Sequence, residues 1–434
     1  MASDQQTPIF TFYGDDFTGS TDALEALAIN GVASVLFFKL PDDAMLRQFG
    51  HCQAIGVAGE SRSRSPEWMC ATLPAVFRRL KEIGGQICQY KVCSTFDSSP
   101  QIGSIGRALD IGAEVFESEF VPVFAAAPRL KRYVAFANLF AAAGQCVYRI
   151  DRHPTMSRHP VTPMRESDLR LHLGNQTTRS LRSFDIRSLE AQDAGARLDA
   201  LLREHPHGVL FDGMSEQSVE KSSALVWARR RRAPFVIASS GFTHGLASHW
   251  RSMGLLSATA TPSQATRTDR LIVFSGSCSP VTESQIRWSL ANGFTGFRID
   301  PALIGPAAAA TMDAALTALQ AGRSVVIYTA LGPSECVDAA GGEPLGSELG
   351  RLLRDLLLRS GVRRAIIAGG DTSSHAGQQL GIYALTVRGP LTPGAPLCEA
   401  HSHDPNLRGL ELVLKGGQVG GEDFFRSVLE GKPG

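Results

Sequence analysis

Ile9-Phe-Thr-Phe-Tyr-Gly14-Asp-Asp-Phe-Thr-Gly19-Ser-Thr-Asp22 is the stretch whose reading decides the fold. The apolar run Ile9–Tyr13 reads as a buried strand that ends at Gly14. From Ala23 the spacing of Leu24, Leu27 and Ala28 turns helical. Asp15 and Asp16 therefore stand where a strand hands over to a helix, on the rim where open α/β sheets bind their ligands. One acid suffices to cap a helix start, which already offers its N–H groups to an anion. The second acid, flanked by Thr18 and Ser20, points to a working site.

The strand-then-helix rhythm continues outward from there. Strands are expected at Val32–Phe38, Ala54–Ala58, Gln86–Lys91, Phe120–Ala125, Val147–Ile150, Val209–Asp212 and Phe235–Ser239. Helical patterns lie between them, as at Pro66–Ile83, where Met69, Leu73, Val76, Phe77 and Leu80 share a face. This alternation predicts an α/β fold with a mainly parallel sheet flanked by helices. Arg152–Asn175, with three prolines and three histidines, breaks the rhythm and reads as a long loop. Ser257–Arg270 is small and polar and reads as a linker, after which Leu271–Phe274 opens a second rhythm. Further strands are expected there at Gly296–Ile299, Ser324–Tyr328, Ala365–Ala368 and Leu410–Leu414, with helices at Thr282–Asn292, Ala307–Ala321 and Ser347–Ser360. With 434 residues, two domains are expected: 1–256, the linker 257–270, and 271–434.

Bulk composition narrows the function classes. A net charge of +1 gives no global field for nucleic acid or an acidic membrane. Arg229-Arg-Arg-Arg232 reads as the solvated end of a helix. No apolar stretch reaches membrane-spanning length, and the first residues lack the pattern of a signal peptide, so a cytoplasmic location is expected. The eight cysteines form no Cys-x-x-Cys pair, which favours reduced, buried thiols. His401-Ser-His403 with Asp404 invites a metal reading, but a histidine pair in a polar loop is more often solvated or helps to shape a pocket, and no third ligand is seen.

Several polar patches fall just after expected strands. In the first half these include the paired acids, Gly59-Glu-Ser-Arg-Ser-Arg64, Lys91-Val-Cys-Ser-Thr-Phe-Asp-Ser-Ser99, Ala125-Ala-Ala-Pro-Arg129 and the Arg152–Arg165 loop. Arginine forks, a lysine and many hydroxyls suit a small anionic, hydroxylated substrate such as a sugar acid. Each patch taken alone also fits a helix cap or an exposed turn. In the second half, Phe274-Ser-Gly-Ser-Cys-Ser-Pro280, Ala368-Gly-Gly-Asp-Thr-Ser-Ser-His375 and Leu414-Lys-Gly-Gly-Gln-Val-Gly-Gly421 follow strands. Small residues at a helix start let backbone N–H groups approach phosphates, which makes a nucleotide cradle plausible. None of the three is a Walker loop or a Rossmann fingerprint.

Gly14-Asp-Asp-Phe-Thr-Gly-Ser-Thr-Asp22, Tyr90-Lys-Val-Cys-Ser-Thr-Phe-Asp-Ser-Ser99 and His159-Pro-Val-Thr-Pro-Met164 resemble the N-terminal motifs of the four-carbon acid sugar kinases. Ser275-Gly-Ser-Cys-Ser279, Gly369-Gly-Asp-Thr-Ser373 and Lys415-Gly-Gly-Gln-Val-Gly-Gly-Glu-Asp-Phe-Phe425 resemble that family's C-terminal motifs, in family order. The resemblance implies an ATP-dependent kinase with Mg2+ that phosphorylates the terminal C4 hydroxyl of threonate, erythronate or a 3-oxo-tetronate. It implies the acid sugar on the N-terminal domain, the nucleotide on the C-terminal one, and the active site in the cleft between them. On this reading Asp15 and Asp16 are catalytic, one as base and the other orienting the hydroxyl or helping to hold magnesium. Arg62, Lys91, Ser94, Thr95 and His159 bind the substrate. Ser275, Ser277, Gly369, Gly370, Asp371, Thr372, Gly416 and Gly417 hold the nucleotide. The expected partners are a small sugar acid and ATP, without nucleic acid or membrane, and homo-oligomerisation is left open. The stretch Ala126–Ala143 departs from the family pattern, as does Cys398–His403. A metal-assisted sugar-acid lyase and a non-catalytic sugar-acid sensor are the competing readings.

Overall fold

The computed structural model describes residues 7–159, 161–256, 265–301, 308–335 and 342–432. The segment 257–264 of the expected linker lies outside them. Contacts group the chain into two units, one of residues 1–15, 26–34 and 40–260, the other of residues 16–25, 35–39 and 261–434.

The chain forms strands β1 (Phe10–Gly14), β2 (Ser34–Phe37), β3 (Ala54–Ala58), β4 (Ile87–Lys91), β5 (Val121–Phe124), β6 (Arg132–Ala135), β7 (Asn138–Ala143), β8 (Cys146–Arg149), β9 (Leu181–Phe184), β10 (Gly208–Phe211) and β11 (Phe235–Ala238). In the first unit the order is β3-β1-β4-β11-β5-β10-β9, parallel throughout. All but the edge strand β9 are buried end to end because helices pack on them, which is why they read as continuous apolar runs. The helix Pro66–Ile83 shows how one such cover forms. Ser65 caps its start, Pro66 occupies the first turn, and Gly84 ends it in a left-handed conformation at φ 94°. Its Phe77 packs edge-on to Tyr13 and Tyr90 and against Phe235, with ring centroids 5.1–6.2 Å apart. Strands β6, β7 and β8 make a separate antiparallel sheet, β6-β7-β8. The strand expected at Val147–Ile150 therefore exists but belongs to this excursion and not to the parallel sheet. Asp212, after β10, anchors the excursion by accepting the N–H groups of Phe136 (2.6 Å), Ala137 (2.9 Å) and Ile186 (2.9 Å). Burial raises its pKa against the pull of those donors. Arg152–Asn175 is irregular, as expected, apart from short 3₁₀ turns and the helix Leu169–Gly174.

The second unit adds β12 (Ile272–Ser275), β13 (Thr295–Arg298), β14 (Val325–Tyr328), β15 (Arg364–Ala368), β16 (Ile382–Thr392), β17 (Ala395–Ser402) and β18 (Glu411–Lys415). Strands β13-β14-β12-β15-β18 are parallel. The hairpin β16–β17 continues the sheet antiparallel, and β2 pairs with β16. The sequence reading does not anticipate this hairpin, and it counts Val32–Phe38 only among the strands of the first half. Among the described cysteines Cys52, Cys88 and Cys398 are buried and free, Cys70 and Cys146 are exposed, and Cys278 is disulfide-bonded. Uniformly reduced, buried thiols are thus not what the chain shows. The arginine run ends the helix Glu216–Ala228, with Arg229 on Asp199, Arg230 over Trp227 and Arg232 on Glu119.

Glu25 on the helix Phe17–Ala28 is buried and accepts the N–H of Gly394 at the hairpin turn (2.7 Å). Burial raises its carboxyl pKa to about 8, with Asp22 adding to the rise. The native state therefore holds a proton that the unfolded chain releases near the usual carboxylate range. This contribution to stability is full at acid pH and is lost as pH rises towards 8. Glu25→Gln keeps the acceptor for Gly394 without the charge. In urea titrations at pH 5.5 and pH 8, the wild type is expected to lose roughly 1–3 kcal/mol relative to this variant. Equal pH dependence of the two proteins would refute the assignment.

Candidate active site

Parallel register brings the carboxyl ends of the first unit's central strands into a row: Gly14 pairs with Ala58 and Lys91, and Lys91 pairs with Ala238. Asp15 leaves from that row, its N–H donating to the carbonyl of Lys91 (3.0 Å). Its carboxylate is gripped by Arg62, with Nε to Oδ2 at 3.2 Å and Nη2 to Oδ1 at 2.7 Å. This two-pronged geometry neutralises a buried acid with a matched fork of donors. Arg62 is itself placed by its backbone. Its N–H donates to the Asp15 carbonyl (3.0 Å), and the neighbouring Ser61 hydroxyl bonds the Tyr90 hydroxyl (2.8 Å). Gly103 donates to the Arg64 carbonyl (2.9 Å) at φ 62°, and a Cβ there would lie 2.4 Å from the Arg62 carbonyl. Only glycine fits that approach.

Asp16 opens the helix Phe17–Ala28, accepting the N–H of Gly19 (2.7 Å) and the hydroxyl of Thr18 (2.8 Å). The modest reading of an acid as helix cap is thus realised by Asp16, while Asp15 does something else. Lys91 is buried at the strand end. Ser94 and Thr95 lie in the turn that follows, also buried, and Thr95 donates to Asp97 (2.5 Å). Ser98 meets His172 (2.9 Å) and Gln176 (2.9 Å), and burial pulls the His172 imidazole down to about 4. His159 accepts the N–H of Thr162 and meets its hydroxyl, both at 3.1 Å, so the ring ties its own loop. Among the described residues no hydrogen bond joins it to Asp15, Arg62 or Lys91.

In the second unit three loops leave the carboxyl ends of β12, β15 and β18 and converge. Gly276 donates to the Ala368 carbonyl (3.1 Å) and Gly369 to the Lys415 carbonyl (2.9 Å). A Cβ on Gly276 would lie 2.3 Å from Thr372 Oγ1, and one on Gly417 would lie 3.0 Å from Ser277 Oγ. Gly369 has φ 121°, which L side chains rarely adopt. Ser275 accepts the N–H of Ser277 (3.3 Å), Ser277 that of Ser279 (3.2 Å), and Ser279 caps the helix Pro280–Ala291. Gly370 starts the helix Gly370–Gln379, on whose first turn Asp371 and Thr372 also lie. The structure thus gathers Ser275, Ser277, Gly369, Thr372 and Gly417, with Gly416 adjoining. It also gathers three side chains that the sequence reading leaves out: Lys415, Thr282 and Gln285. Only the position of Lys415 directly before the glycine pair signals it in the sequence. Of the tempting histidine pair, His401 bonds Thr386 and His403 stacks on Tyr383, whose ring His401 also meets with centroids 6.4 Å apart. Among the described residues no cluster of three or more His, Cys, Asp or Glu could hold a metal ion. No helix there is long and apolar enough to cross a membrane.

Comparison with known proteins fits both halves. Residues 10–246 match the sugar-binding N-terminal domain family and residues 272–425 the nucleotide-binding C-terminal domain family. The chain belongs to the four-carbon acid sugar kinase family. It is an ATP-dependent sugar acid kinase. A 3-oxo-isoapionate kinase of Paraburkholderia graminis is 45% identical across 98% of this chain and 94% of its own. A 3-oxo-tetronate kinase of Cupriavidus necator is 29% identical across 97% and 96%. A solved structure from Salmonella typhimurium LT2 superposes with a TM-score of 0.77 at 26% identity, covering 97% of this chain and 98% of the other. A Haemophilus influenzae structure at 22% identity shares the fold with a TM-score of 0.70, covering 96% and 98%.

The contact between Gly276 and Thr372 gives a test of the convergence. Gly276→Ala is expected to lower the melting temperature by several degrees, because the new methyl meets the threonine hydroxyl. Adding Thr372→Ala should recover much of that loss. Strictly additive effects in the double variant would mean that the two loops do not touch.

Proposed function

We propose that this kinase transfers the γ-phosphoryl of ATP to the terminal hydroxyl of a 3-oxo sugar acid. The substrate favoured is of the 3-oxo-isoapionate type, because the relative that acts on it shares 45% of the sequence against 29% for a tetronate kinase. The observation that carries the reading is the convergence of three small-residue loops at the carboxyl ends of β12, β15 and β18. Such loops let backbone N–H groups reach phosphate oxygens.

The residues in the expected roles are Asp16 as proton acceptor, with the Asp15–Arg62 pair beside it. The Arg62 fork engages both carboxylate oxygens of Asp15, so Asp16 is the acid assigned to the hydroxyl proton. The hydroxyl loses its proton as its oxygen bonds to the γ-phosphorus, and the bond from that phosphorus to the β-phosphate oxygen breaks, releasing ADP. Lys91, Ser94 and Thr95 supply positive charge and hydroxyls for the acid sugar, and His159 shapes the loop at its edge. Ser275, Ser277, Gly369, Gly370, Asp371, Thr372, Gly416 and Gly417 form the nucleotide side. Residues 1–256 serve the sugar and residues 271–434 the nucleotide. Magnesium typically keeps several waters and binds through one or two carboxylates plus substrate phosphates, so Asp15 would help to hold it. When bound with ATP it neutralises charge on the transferring phosphoryl group. Positioning and charge neutralisation supply most of the rate enhancement.

A coupled ADP-release assay across 3-oxo-isoapionate, 3-oxo-tetronates, threonate and erythronate tests the assignment. The highest kcat/KM is expected with 3-oxo-isoapionate. ADP release with none of them would favour a sensor, and turnover without ATP would favour a lyase. Asp16→Asn should lower kcat by roughly two to four powers of ten with folding intact. Near-normal turnover in this variant would remove Asp16 as the base.

A further inference from the structure

Lys415 ends strand β18 fully buried, and among the described side chains no acid pairs with its ammonium. Its three donors meet three neutral oxygens: Thr282 Oγ1 at 3.0 Å and the carbonyls of Gly416 at 2.9 Å and Gly417 at 3.4 Å. Thr282 in turn donates to the Gly417 carbonyl (2.9 Å). One turn on, Gln285 Nε2 lies 2.9–3.1 Å from the carbonyls of Val419, Gly420 and Gly421. Five carbonyls of the 415–421 loop are thus drawn to side chains of one helix and one lysine. The N–H groups of Gly416 and Gly417 donate to nothing among the described residues. A loop with its oxygens turned inward and its amides unused is built to receive an anion.

We propose that Lys415 and Thr282 are positioning residues for the nucleotide, clasping the loop from beneath so that its amides stay open to phosphate, with the lysine as a proton-coupled member of the clasp. The inference rests on the nucleotide reading of this loop and deepens it. Burial lowers the Lys415 ammonium to about 7, so it exchanges its proton in the working range. The packed elements carry Glu283 and Arg287 on the helix Pro280–Ala291, Asp371 and His375 on the helix Gly370–Gln379, Arg364 on β15, Glu411 at the start of β18 itself, and Glu422 and Asp423 beyond the loop. Arg287 engages Glu283 and Arg364 engages Glu411, and among the described side chains none forms an ion pair with Lys415. The neutral amine has two donors for three oxygens, so proton loss loosens the clasp. A bound polyphosphate favours the protonated form, and by linkage nucleotide binding must draw in a proton above neutral pH.

Calorimetric titration of the full chain with ADP and magnesium, at pH 8 in buffers of low and high ionisation enthalpy, reads this proton directly. The wild type is expected to take up roughly 0.3–0.8 proton per ADP at pH 8 and close to none at pH 6. Lys415→Arg, which keeps a fixed charge, should bind ADP without uptake. Thr282→Val should raise the KM for ATP about tenfold or more while kcat changes less than threefold, with rescue by Thr282→Ser. ADP binding without proton uptake in the wild type, or equal uptake in Lys415→Arg, overturns the proposal and leaves the nucleotide reading standing. An unchanged KM in Thr282→Val overturns the clasp. Failure of the wild type to bind ADP overturns the nucleotide reading and this inference with it. The wild-type comparison between pH 6 and pH 8 decides the matter even if Lys415→Arg does not fold.

Discussion

The last rung of the parallel ladder organises each unit. In parallel sheets the first residue beyond a strand donates its N–H to the terminal carbonyl of a neighbouring strand. Here Asp15 donates to Lys91, Gly59 to Gly14, Val92 to Ala238 and Ser239 to Phe124. The second unit repeats the pattern with Gly276 on Ala368, Gly369 on Lys415 and Thr329 on Ser275. Each bond fixes not only the strand but the departure point of the loop that follows. Side chains on those loops are thereby placed within a few ångströms of one another although they are far apart in sequence. A one-residue slip of β1 would carry Asp15 off the rung and Arg62 off its carboxylate.

Three buried ionisable groups near these loops meet the cost of burial in three ways. Asp15 is met by an opposite charge, Arg62, through two hydrogen bonds. Glu25 surrenders its charge, since one backbone N–H cannot offset desolvation. Lys415 lies between, its ammonium fully hydrogen-bonded but to dipoles alone, so burial brings it to the edge of neutrality. The sequence shows three isolated charges. What each does depends on how many donors or acceptors the fold sets around it, and of what charge.

Most of the parallel strands were legible because burial on both faces writes them as short apolar runs, and Ala54–Ala58 falls on its expected bounds, whereas the half-exposed edge strand β9, Leu181–Phe184, was not. The hairpin β16–β17 was not, because Gly389, Pro390, Pro393 and Gly394 punctuate it like a loop. In the structure, register shifts around Gly389 absorb the interruption. Strands β6 and β7 stayed hidden for a related reason. They are half-buried and lie in a separate small sheet, so neither a continuous apolar run nor strict alternation marks them. At the site, residue types were readable and partnerships were not. Nothing local in Gly59–Arg64 tells that Arg62 closes on Asp15, 47 positions away.

The excursion shows how a loop can be tied to the sheet without joining it. The excursion β6-β7-β8 leaves from the carboxyl end of β5 and is pinned by Asp212 at the carboxyl end of β10. This is the end of the sheet that carries Asp15 and Lys91. Phe136 and Ala137, which Asp212 grips by their amides, both sit at positive φ, a strained turn whose cost the three-donor carboxylate offsets. The stretch Ala126–Ala143 that departs from the family pattern spans this anchored turn and not the strands beneath it. A loop built on its own small sheet can change length and composition without disturbing the ladder that sets Asp15, Arg62 and Lys91. The excursion thus stands apart from the strand register that holds Asp15, Arg62 and Lys91.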